Sequence, residues 1–247
     1  RTVLRDTPRH LFVRSTFRRY VWLVVVCAIL TTPIPPFAAY FLKVGSKLSA
    51  AQIMVLEMSR YAGVMLSAWV IRRRIDITGA RPFFLLALGL YAAVGGYWWL
   101  YLERGFGGTA GILVSYFFLG LAAATWAIAN LNYLPKIVTG DERTLVVAIH
   151  GAVTAFAGGL SPVLWGVLLK SADGSTRGID AGMFQWFFVT VVVGAIGLSP
   201  LLARLPEEKG QPVDPILIGN AILRPFRAMT YLVNLVELRP VRKDSKP

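Results

Sequence analysis

Cysteine, histidine and charged residues are all scarce in this chain of 247 residues. Its one cysteine, Cys27, leaves no disulfide framework, and its two histidines, His10 and His150, cannot form a zinc site without further ligands. Charged residues make up 16% of the chain, whereas an ordinary soluble domain has about a quarter. Because hydrophobic residues reach 55%, the polar side chains are too few to cover a water-facing surface. The composition therefore predicts a protein whose solvent is the lipid bilayer.

Acidic residues are fewer than basic ones, so that 26 Lys and Arg against 13 Asp and Glu give a net charge of +13. Nucleic-acid-binding proteins place such charge along one exposed face, with stacking aromatic residues among the basic ones. Here the basic residues lie in the gaps between apolar blocks. The distribution argues against a nucleic-acid partner.

The sequence contains partial matches to motifs of cofactor-binding proteins and enzymes, but each has the wrong spacing or lies in the wrong structural context. Residues 105–110 fit loosely the glycine-rich pattern of dinucleotide-binding proteins, but no strand pattern precedes them. Residues 45–47 lack the spacing of a phosphate-binding loop, and Ser161 lacks the final glycine of a nucleophile elbow. The sequence predicts no cofactor, no metal and no enzymatic activity.

Long apolar stretches are what the chain has instead. A membrane helix needs about 20 mainly apolar residues, because about 30 Å of hydrocarbon is crossed at about 1.5 Å per residue. The stretches that qualify are residues 20–42, 50–71, 82–102, 109–134, 145–169 and 182–205. Their connections are short. We therefore predict an all-α integral membrane protein, a bundle of six transmembrane helices in which successive helices are antiparallel.

The basic residues also predict the orientation, since short cytoplasmic loops of membrane proteins carry more of them. Twelve lie in the leader before the first span and in the second and fourth connections, against five in the other connections. We expect a multi-pass protein of the cell membrane with both termini in the cytoplasm.

Three segments follow from this division: a basic leader at residues 1–19, a transmembrane domain at 20–205 and a cytoplasmic tail at 206–247. In the tail, apolar residues recur at helical spacing from about residue 215 to 238, with Arg224 at the centre. A central arginine in a span costs about 2.5 to 3.5 kcal/mol. An amphipathic helix on the cytoplasmic face of the membrane is therefore expected, and a packed or disordered tail is the alternative.

The connection between the second and third spans holds an acidic residue, a glycine three positions later and a basic residue two further on, Asp76, Gly79 and Arg81. Gly79 can take a positive φ in a tight turn, and Asp76 can cap a helix or pair with an arginine. This arrangement resembles the cytoplasmic loop motif of the major facilitator superfamily. It departs from that motif at three positions: Arg72, where the motif begins with glycine, Ile77, where a base follows the acid, and Pro82, where it has a final base.

Residues 130–143 and the glycine- and proline-containing span that follows are similar to the end of the tenth helix, the next loop and the eleventh helix of that superfamily. Six spans with both ends cytoplasmic equal one of its halves, and the basic leader resembles its central loop. The resemblance covers residues 1 to about 210. It implies the C-terminal half of a secondary transporter, a symporter or an antiporter of a small organic solute. Such a half works by alternating access against an N-terminal six-helix half, and a chain that begins at Arg1 rather than Met fits a fragment.

The resemblance further implies that the first, second, fourth and fifth spans line a cavity, and polar residues do concentrate on the last three of these. On the second span, Glu57 and Arg60 share one helix face at i and i+3. Each is costly in hydrocarbon unless it is paired or hydrated. The pair is either a proton-linked or solute-contacting acid with a basic neighbour, or a structural ion pair.

The first span is broken at mid-membrane, where Thr31 and Thr32 precede three prolines between residues 33 and 36. Non-helical backbone at that depth needs protein or water around it, so this break is expected to line the cavity.

Four further candidates lie on the fourth and fifth spans. Asn130 and His150 are expected at similar depths on neighbouring helices, and Thr154 lies one turn after His150. Trp126, one turn before Asn130, is able to stack on a ring-bearing solute. For each of them, ordinary packing is the alternative.

Small residues spaced by four predict close helix packing on the same two spans, at Gly120 and Ala124 on the fourth and at Gly151, Ala155 and Gly159 on the fifth.

Two other functions remain open. A membrane-embedded enzyme acting on lipids would need a second catalytic group in the same cavity as Glu57 or His150. A non-transporting scaffold or sensor would not need polar residues concentrated on particular spans, so their concentration favours transport.

Overall fold

The computed structural model describes residues 15–137, 143–173 and 181–206, and every regular element in these ranges is a helix. The helices are α1 (Ser15–Thr31), α2 (Ile34–Val44), α3 (Ala50–Ile71), α4 (Ile75–Thr78), α5 (Arg81–Arg104), α6 (Gly108–Ile137), α7 (Arg143–Asp173) and α8 (Ala181–Ala203). Six stretches are long and apolar enough to span a membrane: Thr16–Val44, Ala50–Ile71, Arg81–Arg104, Gly108–Ile137, Val146–Leu168 and Gly182–Ala203. Within the described residues, the prediction of an all-helical, multi-pass membrane protein with six spans is confirmed by helix length and composition.

The helix ends differ from the predicted spans by a few residues. The second span coincides with α3, whereas α1 begins at Ser15, inside the segment predicted as leader. It begins early because Phe17 and Tyr20 are buried in the bundle and continue the packed face of the helix. The rest of the leader, residues 1–14, and the amphipathic helix predicted at 215–238 lie outside the described residues.

The start of α3 and the end of α5 are set by local sequence. Ser49 and Gln52 form a capping box, in which the Ser49 hydroxyl accepts from the Gln52 amide and the Gln52 side chain accepts from the Ser49 amide. At the other end, Gly105 ends α5 with a φ of 65°, a left-handed conformation that glycine adopts without strain.

The bundle is built from close helix pairs: α3 lies along α6, α5 lies against α6 and α8, and α1 packs on α7 and α8. The α3–α6 pair is a backbone contact. A Cβ added to Gly120 would lie 1.8 Å from the Arg60 carbonyl oxygen, and one added to Gly63 would lie 2.0 Å from that of Phe117. The packing predicted for Gly120 is confirmed.

The small residues of the fifth span behave differently. A Cβ at Gly151 or Gly159 would meet no heavy atom within 4 Å in the part of the chain that the structure describes. Gly158, the residue between the predicted positions, faces Thr32 instead. The prediction of close packing is therefore wrong for Gly151 and Gly159 within the described residues.

Two apolar clusters fill the bundle. One includes Phe17, Tyr20, Phe84 and Leu202, and the other includes Ile34, Trp98, Tyr116 and Phe187. Trp126 of α6 packs against both clusters, so it lies at the level where they meet.

Candidate functional site

The first span is interrupted at its centre, as its prolines predict. Because Pro33 has no N–H, the carbonyl of Ile29 loses its donor within the helix. Two side chains of α7 replace that donor: Ser161 Oγ donates to the Ile29 oxygen at 2.6 Å, and Trp165 Nε1 donates to it at 2.9 Å. The fifth span therefore replaces the donor that Pro33 removes from the Ile29 carbonyl.

The two threonines at the interruption point to different neighbours. Thr31 Oγ1 donates to the Cys27 carbonyl at 2.9 Å, one turn back in its own helix. Thr32 is exposed and lies against α7, since a Cβ at Gly158 would come within 3.2 Å of its hydroxyl. Thr31 is thus half-buried and bonded to its own helix, whereas Thr32 lies on the surface beside α7.

The ion pair predicted on the second span is formed. Arg60 Nε donates to Glu57 Oε2 at 2.5 Å, and the Arg60 guanidinium lies 5.0 Å from the centre of the Tyr61 ring. The Arg60 side chain is 24% exposed and that of Glu57 is 30% exposed. Glu57 lies about 10 Å along α3 from its first residue, well within the apolar span. The pair is thus inside the span and open on one side.

Two buried tyrosines lie near this pair. Tyr91 of α5 and Tyr116 of α6 both lie within electrostatic range of Arg60, and Tyr116 also lies within range of Glu57. The Tyr116 hydroxyl is buried and finds no hydrogen-bond partner among the described residues. Three helices, α3, α5 and α6, therefore contribute polar side chains to this region. Sequence reasoning missed both tyrosines, because a tyrosine among apolar residues gives no signal of which neighbour it meets.

A second polar group lies further along α6. Asn130 Oδ1 accepts a short hydrogen bond from the Tyr20 hydroxyl, and Asn130 Nδ2 donates to the Trp126 carbonyl at 3.0 Å. The Tyr20 ring stacks on His150, with centroids 5.6 Å apart and planes 10° apart. Asn130 and His150 are therefore brought together by Tyr20 of α1, which the sequence analysis did not single out. Tyr20 follows two arginines at the end of the first span, a position that is also typical of a tyrosine at the membrane interface.

His150 and Thr154 are one turn apart on α7, and both present unused polar atoms. His150 Nε2 and Thr154 Oγ1 are buried and have no hydrogen-bond partner within the described ranges. Most buried polar atoms in proteins are hydrogen-bonded, so we expect a water, a solute or another chain to provide the hydrogen-bond partner of these two atoms. Trp126 is less available for stacking on a solute, because its ring packs edge-on against that of Phe84, with the ring centroids 5.0 Å apart.

The two polar groups lie at different depths. Gly120 touches the Arg60 backbone, and Asn130 lies about 15 Å further along the same helix. The Glu57–Arg60 pair and His150 are thus in opposite halves of the bundle, and Trp126 lies between them.

The loop motif ties the second connection to the end of α6. Gly79 takes a φ of 83°, as predicted for the turn, and Asp76 Oδ1 accepts from Asn132 Nδ2 at 2.9 Å. Arg81 is the first residue of α5. The motif residues therefore form a turn that is anchored on the fourth span.

No family model matches this chain, and neither the curated proteins nor the solved structures give a significant match.

Proposed function

We propose that this chain is the C-terminal six-helix half of a secondary transporter of the major facilitator type, which moves a small organic solute across the cell membrane by alternating access. The observation that carries the proposal is the partly open ion pair of Glu57 and Arg60 within a span. Charges in a span are costly unless protein or water covers them. A water-filled solute pathway against a second protein half supplies that cover.

The interrupted first span supports the same function. Secondary transporters place solute and ion sites near the bilayer midplane, at helices that are discontinuous. Here the break between α1 and α2 falls near the middle of Thr16–Val44. Glu57 is the carboxylate we assign to solute contact or proton coupling.

The partner in this proposal is an N-terminal six-helix half, because the site of such a transporter lies between its two repeats. The helices that would face it, α3 and α7, both carry exposed apolar side chains, among them Met58 and Met65 on α3 and Phe156 and Val163 on α7. Both termini of the chain are cytoplasmic in this arrangement, in agreement with the basic residues of the connections.

Neither alternative function accounts for the geometry as well. A lipid-processing enzyme that used Glu57 and His150 as acid and base would need them within hydrogen-bond reach of one substrate, but they lie in opposite halves of the bundle. A scaffold or sensor has no need of a partly exposed ion pair inside a span.

Reconstitution of the chain in liposomes tests the proposal. Residues 1–247 alone should insert without accumulating any of a panel of radiolabelled organic anions, cations and neutral solutes. Addition of the polypeptide encoded directly upstream should establish uptake, whereas an unrelated six-span protein should not. Robust uptake by the chain alone would indicate a self-associating pore and contradict the proposal, as would absence of uptake with the upstream polypeptide present.

A further inference from the structure

A groove of about 650 Å³ lies between α1 and α8, at the end of the bundle where α1 begins and α8 ends. Three arginines lie along it: Arg18 and Arg19 on α1 and Arg204 just after α8. Its deeper walls are aliphatic and come from both helices, at Leu23, Val26, Leu198 and Leu201. None of the residues that line the groove belongs to the polar groups of the proposed solute pathway.

The groove residues are ordered by depth. On α1, Trp22 lies one helical turn inside Arg18, and Val26 lies one turn further. On α8, Leu201 lies one turn inside Arg204. Charge is thus followed by an exposed indole and then by aliphatic side chains. Phospholipids have the same order, since the phosphate precedes the interfacial region and the acyl chains, and tryptophan is enriched at that interface.

The three arginines are not neutralised within the part of the chain that the structure describes, because no ion pair there involves them. Glu207 and Glu208 follow Pro206 in the sequence and lie outside the described residues. Guanidinium groups bind phosphate oxygens through paired N–H donors, and basic grooves between membrane helices attract anionic headgroups.

The wall that carries Arg204 is fixed to the bundle. The Tyr133 hydroxyl of α6 donates to the Pro206 carbonyl at 2.9 Å, and the Arg204 amide donates to the Leu201 carbonyl at 3.3 Å. Leu205, which lies between Arg204 and Pro206 in the sequence, is buried. The backbone of Arg204 is therefore held in position opposite Arg18 and Arg19 before any ligand binds.

We propose that this groove binds one anionic phospholipid, with its phosphate on the three arginines and one acyl chain along the aliphatic walls. The bilayer supplies such a ligand, and the excess of basic residues at this end of the bundle predicts the cytoplasmic leaflet, where anionic lipids concentrate. The proposal requires the membrane spans and the groove only, so it does not depend on the transport function.

Lipid retention by the purified full chain tests the headgroup contact. In native mass spectrometry from mixed micelles of phosphatidylglycerol and phosphatidylcholine, the wild type should retain phosphatidylglycerol in preference. Replacement of Arg18 and Arg19 by glutamine, or of Arg204 alone, should weaken that retention by about fivefold per arginine, which corresponds to about 1 kcal/mol for each basic residue. The matched control is Arg72→Gln with Arg73→Gln, since both are exposed arginines away from the groove.

Substitution of the apolar wall distinguishes a lipid from a free anion. Leu201→Trp fills the groove without a change of charge and should also reduce retention of phosphatidylglycerol, whereas Val193→Trp on an exposed position of α8 outside the groove should not. Equal retention of the two lipids by the wild type would overturn the proposal, and so would equal losses in the control variants. Displacement of the lipid signal by inorganic phosphate, together with normal retention in Leu201→Trp, would replace the lipid by a soluble anion and overturn it as well.

Discussion

The Ser161 hydroxyl donates a hydrogen bond to the backbone carbonyl of Ile29 on a helix 132 residues earlier in the chain. That carbonyl has no donor in its own helix, because the residue four positions on is Pro33. An unsatisfied backbone group in hydrocarbon costs several kcal/mol, so the broken first span and the fifth span stabilise each other.

Loss of the Ser161 hydroxyl should therefore destabilise the protein more when the proline is present than when it is absent. Interhelical side-chain hydrogen bonds in membranes contribute about 0.6 kcal/mol on average, and Trp165 still donates to the same oxygen. We expect Ser161→Ala to lower the melting temperature in detergent modestly. In a Pro33→Ala background, residue 33 supplies the missing N–H, and the same substitution should cost less.

The control for this cycle is Ser199→Ala, because Ser199 donates to the Ala195 carbonyl of its own helix, which needs no second helix. It should cost the same with and without Pro33. If Ser161→Ala also costs the same in both backgrounds, the link between the two spans is refuted.

The contact between α3 and α6 gives a second prediction. Gly120→Ala places a methyl group 1.8 Å from the Arg60 carbonyl oxygen, and the helices must move apart. Overpacking of this kind typically costs about 1 to 3 kcal/mol, so the melting temperature should drop clearly. Gly96→Ala is the control, since a Cβ there meets nothing within 4 Å among the described residues. It should be neutral or stabilising, and equal stability of the two variants would contradict the contact.

Gly120 also shows what the sequence reveals about packing. Its spacing with Ala124 correctly predicted a close contact, but the same spacing at Gly151 and Gly159 did not, because those residues face open space within the described residues. A repeat of four defines a helix face, and only tertiary structure determines what covers that face. The six spans were predictable because apolar length alone specifies them.

The candidate site divides in the same way. The Glu57–Arg60 pair was predictable, since both residues belong to one helix and their spacing fixes their contact. The link through Tyr20 between Asn130 and His150 was not predictable, because it joins three helices whose rotations are set by packing.

His150 and Thr154 give a third prediction. Because both polar atoms are buried without partners in the described ranges, Thr154→Val removes an unpaired group at nearly constant volume, and His150→Phe replaces one by a somewhat larger aromatic ring. An unsatisfied buried polar group costs about 1 to 3 kcal/mol, so we expect melting temperatures at or above that of the wild type. Solute uptake by the complete transporter should decrease, because the atoms that would meet the solute or its water are lost.

Tyr20→Phe is the comparison for these variants. It leaves Asn130 Oδ1 without its donor and should lower the melting temperature. A loss of stability in His150→Phe as large as that in Tyr20→Phe would show that His150 is already bonded. Full uptake in both α7 variants would remove them from the solute pathway.

A fourth prediction concerns orientation. Phe106, in the third connection, and Ile77, in the second, are both exposed, and the excess of basic residues predicts that Phe106 is outside the cell and Ile77 inside. An impermeant maleimide applied to intact cells should therefore label Phe106→Cys, and Ile77→Cys only after permeabilisation. The wild type serves as the blank, because its Cys27 is fully buried. Labelling of Ile77→Cys alone from outside would reverse the orientation.

The last prediction separates the two roles that remain for Glu57. If its carboxylate carries a coupling proton, Glu57→Gln should leave insertion and solute exchange intact but abolish accumulation driven by a pH gradient. If it serves only to pair with Arg60, the substitution leaves an unpaired cation and lowers the melting temperature, and Arg60→Gln added to it should restore much of the stability. Breaking a fully buried pair costs about 3 to 5 kcal/mol.

The exposure of the pair decides which outcome we expect. Arg60 and Glu57 keep 24% and 30% of their side-chain surface exposed, so the pair is not fully buried by the described residues. In the proposed solute pathway, water and protons would reach that exposed surface and partly solvate the unpaired cation. We therefore expect a small drop in melting temperature together with loss of gradient-driven accumulation. Glu103→Gln, at an exposed position at the end of α5, should affect neither measurement. Normal stability with undiminished gradient-driven uptake in Glu57→Gln would exclude both roles, because a carboxylate that neither holds Arg60 nor exchanges a proton can only face a water-filled vestibule.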